Sequence, residues 1–344
     1  MATTEDYMNS TDEYNYDYED EMCNKTSVMQ FGAIFTPVFF SFVVIFSLFG
    51  NILVIVILAK YENLRCITNA FILNLAVSDL FFTAGLPFWA YYHMYGWTLG
   101  EVACKTINFV FYTGFYSSGI LLILMTAHRY MAVMRPLSDI VSATGLSSVV
   151  ASVIIWAFSI LVASPAFVFT VQEENHCTYK SSFWTLWGIY QQNVLFVVSS
   201  VVFTFCYSQI ICRLLLRSST QKRKSRTLKL IFTLMVVFFV GWAPYNIVMF
   251  LQSFSYFPQE AASGETLKAA CDSSKLLDYA LYISRFFAFS HCCLNPVFYV
   301  FVGVKYKNHL KKLLKSWGRN NNSIGNRHSR LTIISLTSGE DVST

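Results

Sequence analysis

Charge is what this sequence has least of. Asp, Glu, Lys and Arg make up 13% of its 344 residues, against roughly 25% in a soluble domain. Catalytic signatures are missing too: the chain has no H-E-x-x-H, no G-x-S-x-G and no P-loop. No internal repeat is evident, which argues against a transporter built on inverted repeats. The first 30 residues carry no basic stretch followed by an apolar run. No cleavable signal peptide is therefore expected, and the first apolar span is expected to act as its own insertion signal. The last apolar segment has no lysine after Lys275, which excludes a retinal Schiff base.

Apolar residues are what it has instead, at 55% of the chain. They gather in segments 31–59, 69–93, 102–134, 147–170, 184–215, 227–255 and 276–302. Each exceeds the ~20 residues a helix needs to cross a bilayer. The expected fold is an all-α membrane protein, a bundle of seven transmembrane helices. Of 25 Lys and Arg, all but Lys25, Lys105, Lys180, Lys268, Lys275 and Arg285 lie on one side if the spans alternate. The excess of positive charge on the inner side predicts a cytoplasmic C-terminus and an outer N-terminus. Two sequons, at Asn9 and Asn24, fall on that outer side. So do four of the nine cysteines, Cys23, Cys104, Cys177 and Cys271. Four cysteines allow about three pairings, which sequence alone does not separate.

The flanks differ from the bundle. Residues 1–30 form an acidic tail in which Glu5, Asp6, Asp12, Glu13, Asp17, Glu19, Asp20 and Glu21 face only Lys25. Tyr14, Tyr16 and Tyr18 alternate with those acids. Such a segment has little to bury. It reads either as a solubilising leader or as bait for a basic partner, and tyrosine sulfation would add to its charge. Segment 31–302 is the bundle. In 303–315, apolar residues at Val304, Tyr306, Leu310, Leu313 and Leu314 recur at helical spacing among lysines. They predict a short amphipathic eighth helix lying on the lipid surface. Residues 316–344 read as a polar cytoplasmic tail; Ser335, Thr337 and Ser338 before Glu340 and Asp341 suit phosphorylation. The basic loop around Lys222, Arg223, Lys224 and Arg226 fits topogenic charge and lipid contact. No nucleic-acid partner is expected.

Polar groups inside the spans carry the function. Asp79 sits near the bilayer middle, where a carboxylate costs ~2.5–3.5 kcal/mol and must be partnered. Asn51, Ser118 and Asn295 are candidates at compatible depths; together they could hold a sodium ion or a water network, or form a structural polar cluster. Asn295-Pro296 breaks the backbone ladder of the last span and frees a carbonyl. Pro244, two residues after Trp242, can kink the sixth span, with the ring as a lever. Arg129 either reaches the inner interface or acts as a latch released on opening. Arg285, well inside the seventh span, favours an acidic or carbonyl-bearing ligand group.

In order and spacing, Asn51, Asp79, Cys104, Arg129-Tyr130, Trp156, Tyr207, Trp242-Ala243-Pro244 and Asn295-Pro296-Val297-Phe298-Tyr299 resemble the rhodopsin-like (class A) G-protein-coupled receptors across all seven spans. The acidic Tyr-rich start, Leu86-Pro87-Phe88-Trp89, Trp97-Thr98-Leu99-Gly100 and Ser290-His291-Cys292-Cys293 resemble the chemokine receptors, and among them the XC branch. The resemblance implies no enzyme and no cofactor beyond that sodium. It implies pairing of Cys104 with Cys177 and Cys23 with Cys271. A basic chemokine, of the XC (lymphotactin) type, would be held by the acidic tail, its flexible end entering near Trp89, Phe111, Tyr245 and Arg285. An inhibitory-class heterotrimeric G protein would dock beside Arg129, Tyr207 and Tyr299, with Phe238 and Trp242 part of the switch. Receptor kinases and arrestin would follow, and leukocyte chemotaxis with calcium mobilisation would be the output at the plasma membrane.

The chain departs from that pattern at four places. His128 stands where most of the family has Asp; a neutral imidazole cannot supply the counter-charge to Arg129, so the resting latch is expected to be loose or pH-sensitive. Arg285 replaces a common Glu, Ser199 a Pro, and Gly241 a Cys. Two other readings stay open: a scavenging receptor that takes up chemokine without activating G protein, and a transporter or channel using Asp79.

Overall fold

The structure, a computed structural model, describes residues 23–134, 145–216, 221–257, 264–302, 308–313 and 315. Within its helices the side chains of 145–147, 214–216, 221–236, 264–267 and 298–302 are not described. Tyr14, Tyr16, Tyr18 and Asn9, residues 303–307 and the tail from 316 lie outside the described residues.

Long apolar segments have no water to satisfy their backbone groups in a bilayer, so they close their hydrogen bonds internally as helices. They form α1 (Thr26–Tyr61), α2 (Ile67–Tyr95), α3 (Glu101–Met134), α4 (Gly145–Val168), α5 (Ser182–Leu216) and α6 (Gln221–Ser253). These six are long and apolar enough to cross a membrane by length and composition. The seventh expected span, 276–302, is two helices rather than one: α7 (Gly264–Phe289) and α8 (His291–Val302). The chain turns at Ser290, where the Cys293 amide donates to the Ser290 carbonyl at 3.1 Å in a tighter, 3-10-like bond. Residues 308–313, here α9, are helical as expected for the inner part of 303–315.

Except for α4 with α5, successive helices from α1 to α8 pack against each other, and α3 touches α2, α4 and α5 while α8 lies against α1 and α2. Close approach is built on glycine. A Cβ at Gly114 would stand 2.7 Å from the Ser78 carbonyl oxygen, so α3 meets the α2 backbone directly. The core runs through Phe40, Phe82, Leu86, Phe111, Phe115, Tyr245 and Phe289. Trp156 holds α4 to α2, donating to Asn74 Oδ1 at 2.8 Å. Phe42, Phe46, Phe49, Val153, Ile154 and Leu161 instead face outward, an apolar belt that a soluble protein would not expose.

Segment 171–183, read from sequence only as a long connection, contains an antiparallel hairpin. β1 (Thr170–Glu173) pairs with β2 (His176–Tyr179), with Gln172 opposite Cys177. The Trp97 amide donates to the Asn175 carbonyl at 2.6 Å and fixes the hairpin tip. Burial of Tyr179 against the bundle pushes its hydroxyl up to about 12.

Candidate functional site

Polar residues inside the bundle sort into three levels. At the end that carries the hairpin, both disulfides form as the resemblance implied: Cys104–Cys177 ties β2 to α3, and Cys23–Cys271 ties the chain start to α7. Lys25 reinforces the second tie, donating to Asp278 Oδ2 at 2.8 Å and Ser274 Oγ at 2.7 Å. Between these anchors opens a cavity of about 470 Å³ lined by Trp89, Tyr92, Glu173, Glu174, His176, Cys177 and Thr178. Trp89 is one of the lining residues. Phe111 and Tyr245 are not on that wall: both are buried beneath it, Phe111 tilted against Trp89 at 6.1 Å and Tyr245 donating to Gln192 Oε1 at 3.0 Å. Arg285 is half-buried with its Cζ 6.0 Å from the Phe289 ring.

The middle level centres on Asp79, which is fully buried. Its Oδ1 accepts from Ser118 Oγ at 3.0 Å and its Oδ2 from Asn295 Nδ2 at 2.8 Å. Asn51 belongs to this level but does not reach the carboxylate. It donates to the Cys292 carbonyl at 2.9 Å. The reason lies in the sequence: Pro296 has no N–H to give that carbonyl four residues back, and Asn51 supplies the missing donor from α1. Ser47 and Thr83, 2.6 Å apart, carry the network on, and Thr83 Oγ1 donates to the Asp79 carbonyl at 2.6 Å. His291 also enters, with Nε2 3.9 Å from Asp79 Oδ1 and its ring 4.9 Å from Trp242. Sequence reasoning quoted His291 only as part of a signature; the turn at Ser290 that places it here left no signal in the sequence. The carboxylate is thus met by one hydroxyl and one amide donor, one on each oxygen. Among the described residues no cluster of three or more His, Cys, Asp or Glu side chains forms a transition-metal site.

Aromatic rings stack above and below Trp242. Trp242 meets Phe115 at 5.4 Å, and Phe238 sits between Phe203 at 4.5 Å and Phe196 at 5.7 Å. A small cavity of about 30 Å³ lies among Phe115, Phe203, Phe238, Trp242 and His291. Pro244 lies within α6, inside the turn spanned by the bond from Asn246 Nδ2 to the Trp242 carbonyl at 2.9 Å.

The far end holds the inner residues. Tyr207 is buried and 3.3 Å from Thr126 Oγ1, and Tyr130 packs against Phe205. Arg129 is exposed and has no hydrogen bond or ion pair among the described residues. His128 Nε2 is buried without a partner there, its ring edge-on to Phe71 at 6.4 Å. Tyr299 lies in α8 with its side chain outside the described set. Across this end α9 packs Leu310 and Leu313 on Val54, Ile57 and Leu58. His309 lies 3.0 Å from Glu62 Oε1, with its ring stacked on Tyr61.

A multi-span bundle with a ligand-sized cavity at one end, a proline-broken last span and a buried polar hub between them has the architecture of a membrane receptor. Residues 50–299 match the family described as 7 transmembrane receptor (rhodopsin family), and the chain belongs to it. It is 40% identical over 308 residues to Chemokine XC receptor 1 of Homo sapiens, covering 90% of this chain and 89% of that protein. Identity to Chemokine XC receptor 1 of Mus musculus is 41% over 303 residues, covering 87% and 89%.

Proposed function

We propose that this protein is a chemokine-activated receptor of the plasma membrane, with its N-terminus outside and its C-terminus in the cytoplasm. The observation that carries this reading is likeness to a Chemokine XC receptor 1 over 90% of the chain, with both disulfides framing an open cavity. A basic chemokine of the XC type engages in two parts. The acidic tail, with Tyr14, Tyr16 and Tyr18, attracts its folded body through charge; its flexible end then enters between Trp89, Tyr92 and the hairpin. Asn9 and Asn24 are glycan sites, and Asn24 is exposed.

The cavity then acts on the switch below it. Trp89 lines the cavity and rests on Phe111; Phe82, Phe111 and Phe289 form the layer beneath, and Trp242 with His291 the layer after that. Displacement of Trp242 tilts α6 about Pro244 and opens the far end, where Arg129, Tyr130, Tyr207 and Tyr299 receive an inhibitory-class G protein. Sodium held by Asp79 and Ser118, with Asn295 beside them, favours the resting packing. Receptor kinases and arrestin act on the tail, and α9 rests on lipid. The test is binding of a chemokine panel to the full-length receptor at low and high salt. We expect XC chemokine to bind, with affinity falling as salt rises; no binding by any panel member would overturn the reading.

A scavenging role is the second reading. His128 favours it, since among the described residues no carboxylate pairs with Arg129. Uptake of chemokine without G-protein activation would select it.

A further inference from the structure

We infer that the small cavity beside Trp242, between α3, α5 and α6, is a buried water site anchored by Asn246. It stands apart from the ligand and from the G protein, because it rests on an acceptor left without a partner. Asn246 is 3% exposed, and its Oδ1 is buried with no hydrogen-bond partner among the described residues. The other arm of the amide fixes which atom is which. Nδ2 donates to the Trp242 carbonyl at 2.9 Å, and a flipped amide would set oxygen against oxygen there. Buried polar atoms in folded proteins are satisfied by protein or by ordered water. Here no protein donor is in place, and Asn246 lines a cavity of about 30 Å³.

Size and lining decide what fills it. One water needs about 10–15 Å³ of such volume, so two waters fit and an organic ligand does not. Cavities that stay dry are apolar throughout, and this one is not: Gln192 and Ser199 share its wall with Asn246. Gln192 Nε2 uses one hydrogen on the Gly188 carbonyl at 3.1 Å and keeps a second. Ser199 Oγ donates to the Leu195 carbonyl at 2.7 Å and keeps its lone pairs. These two residues stand about two turns apart on α5, roughly 10 Å, so one water cannot serve both. The arrangement suits a first water donating to Asn246 Oδ1 and a second continuing to Ser199 Oγ. Ser199 is also where this chain departs from a common proline, whose ring would offer the second water no hydroxyl. Trp242 borders the same cavity, so the ring moved in the proposed switch has water on this side.

The test is radiolytic hydroxyl labelling of the purified full-length receptor in lipid nanodiscs, read residue by residue by mass spectrometry. Radicals made from a bound water mark the side chains beside it even where bulk solvent does not reach. Phe196 and Phe203 line the cavity, and Phe203 is 5% exposed. Both should be labelled, while Phe40, 1% exposed and not on that wall, should not. Asn246→Leu, close in size, should take the label away from both. It should also lower the unfolding midpoint, because it removes a satisfied acceptor; an acceptor orphaned in a dry cavity would raise the midpoint on removal. Ser199→Ala should weaken the label at Phe203, and it stands in if the Leu variant does not fold. Labels at Phe196 and Phe203 no higher than at Phe40, labels unchanged in Asn246→Leu, or a raised midpoint in that variant would overturn the site.

Discussion

The bond between Asn51 and the Cys292 carbonyl can be tested quantitatively, because the structure names its cause. Pro296 removes the amide that would otherwise pair with that carbonyl, and Asn51 Nδ2 replaces it at 2.9 Å. Both groups are buried. Asn51→Ala leaves the carbonyl only the long 3.4 Å bond from Ser47 Oγ, a loss of about 1–3 kcal/mol. For a protein of this size that lowers the unfolding midpoint by several degrees, at roughly 2–4 °C per kcal/mol. In a Pro296→Ala background the restored amide can serve the carbonyl, so the Asn51→Ala penalty should shrink. The double-mutant cycle should therefore give a coupling of about 1 kcal/mol or more, within the range for directly interacting residues. The assay is thermal unfolding of the four purified proteins in one detergent, followed by tryptophan fluorescence. Additive penalties would refute the reasoning, and Asn51 would then owe its effect to Ser47 alone.

Other consequences are equally direct. Gly114→Ala drives a methyl into the α2 backbone, 2.7 Å from the Ser78 oxygen, and should destabilise by about 1–3 kcal/mol in the same unfolding assay. Exchanging sodium for choline should lower the wild-type midpoint and leave Asp79→Asn unmoved; at about ten times the dissociation constant the stabilisation lost is ~1.4 kcal/mol. His128→Asp gives Arg129 an adjacent carboxylate, so basal nucleotide exchange on the G protein should fall, and an unchanged basal rate would remove His128 from the switch.

Some of this was legible in the chain because the chemistry is local. Proline cannot donate wherever it stands, so Asn295-Pro296 announced a freed carbonyl before any fold was known. Asp79 announced a partner because a lone carboxylate in lipid is too costly, and Ser118 and Asn295 are that partner set. What escaped depends on rotation and relay. Asn51 was at the right depth, but its target was fixed by how α8 turns after Ser290. His291 gained its place beside Asp79 and Trp242 through the same turn. Phe111 and Tyr245 share a depth with Trp89, yet their faces of α3 and α6 bury them below the cavity. The hairpin left a faint signal, Val171 and Thr178-Tyr179 about a Glu174-Asn175 turn, masked by its brevity. Glu174 takes the left-handed conformation there, with φ of 48°.

The central claim is that chemokine arriving at the cavity end activates G protein at the other. The most direct measurement is dissociation of an inhibitory-class heterotrimer in cells expressing the full-length receptor, as a chemokine panel including lymphotactin is added. The account predicts activation by the XC chemokine, abolished in the Pro244→Ala variant that loses the α6 pivot. Receptor that binds the chemokine and internalises it while the heterotrimer stays intact would contradict it.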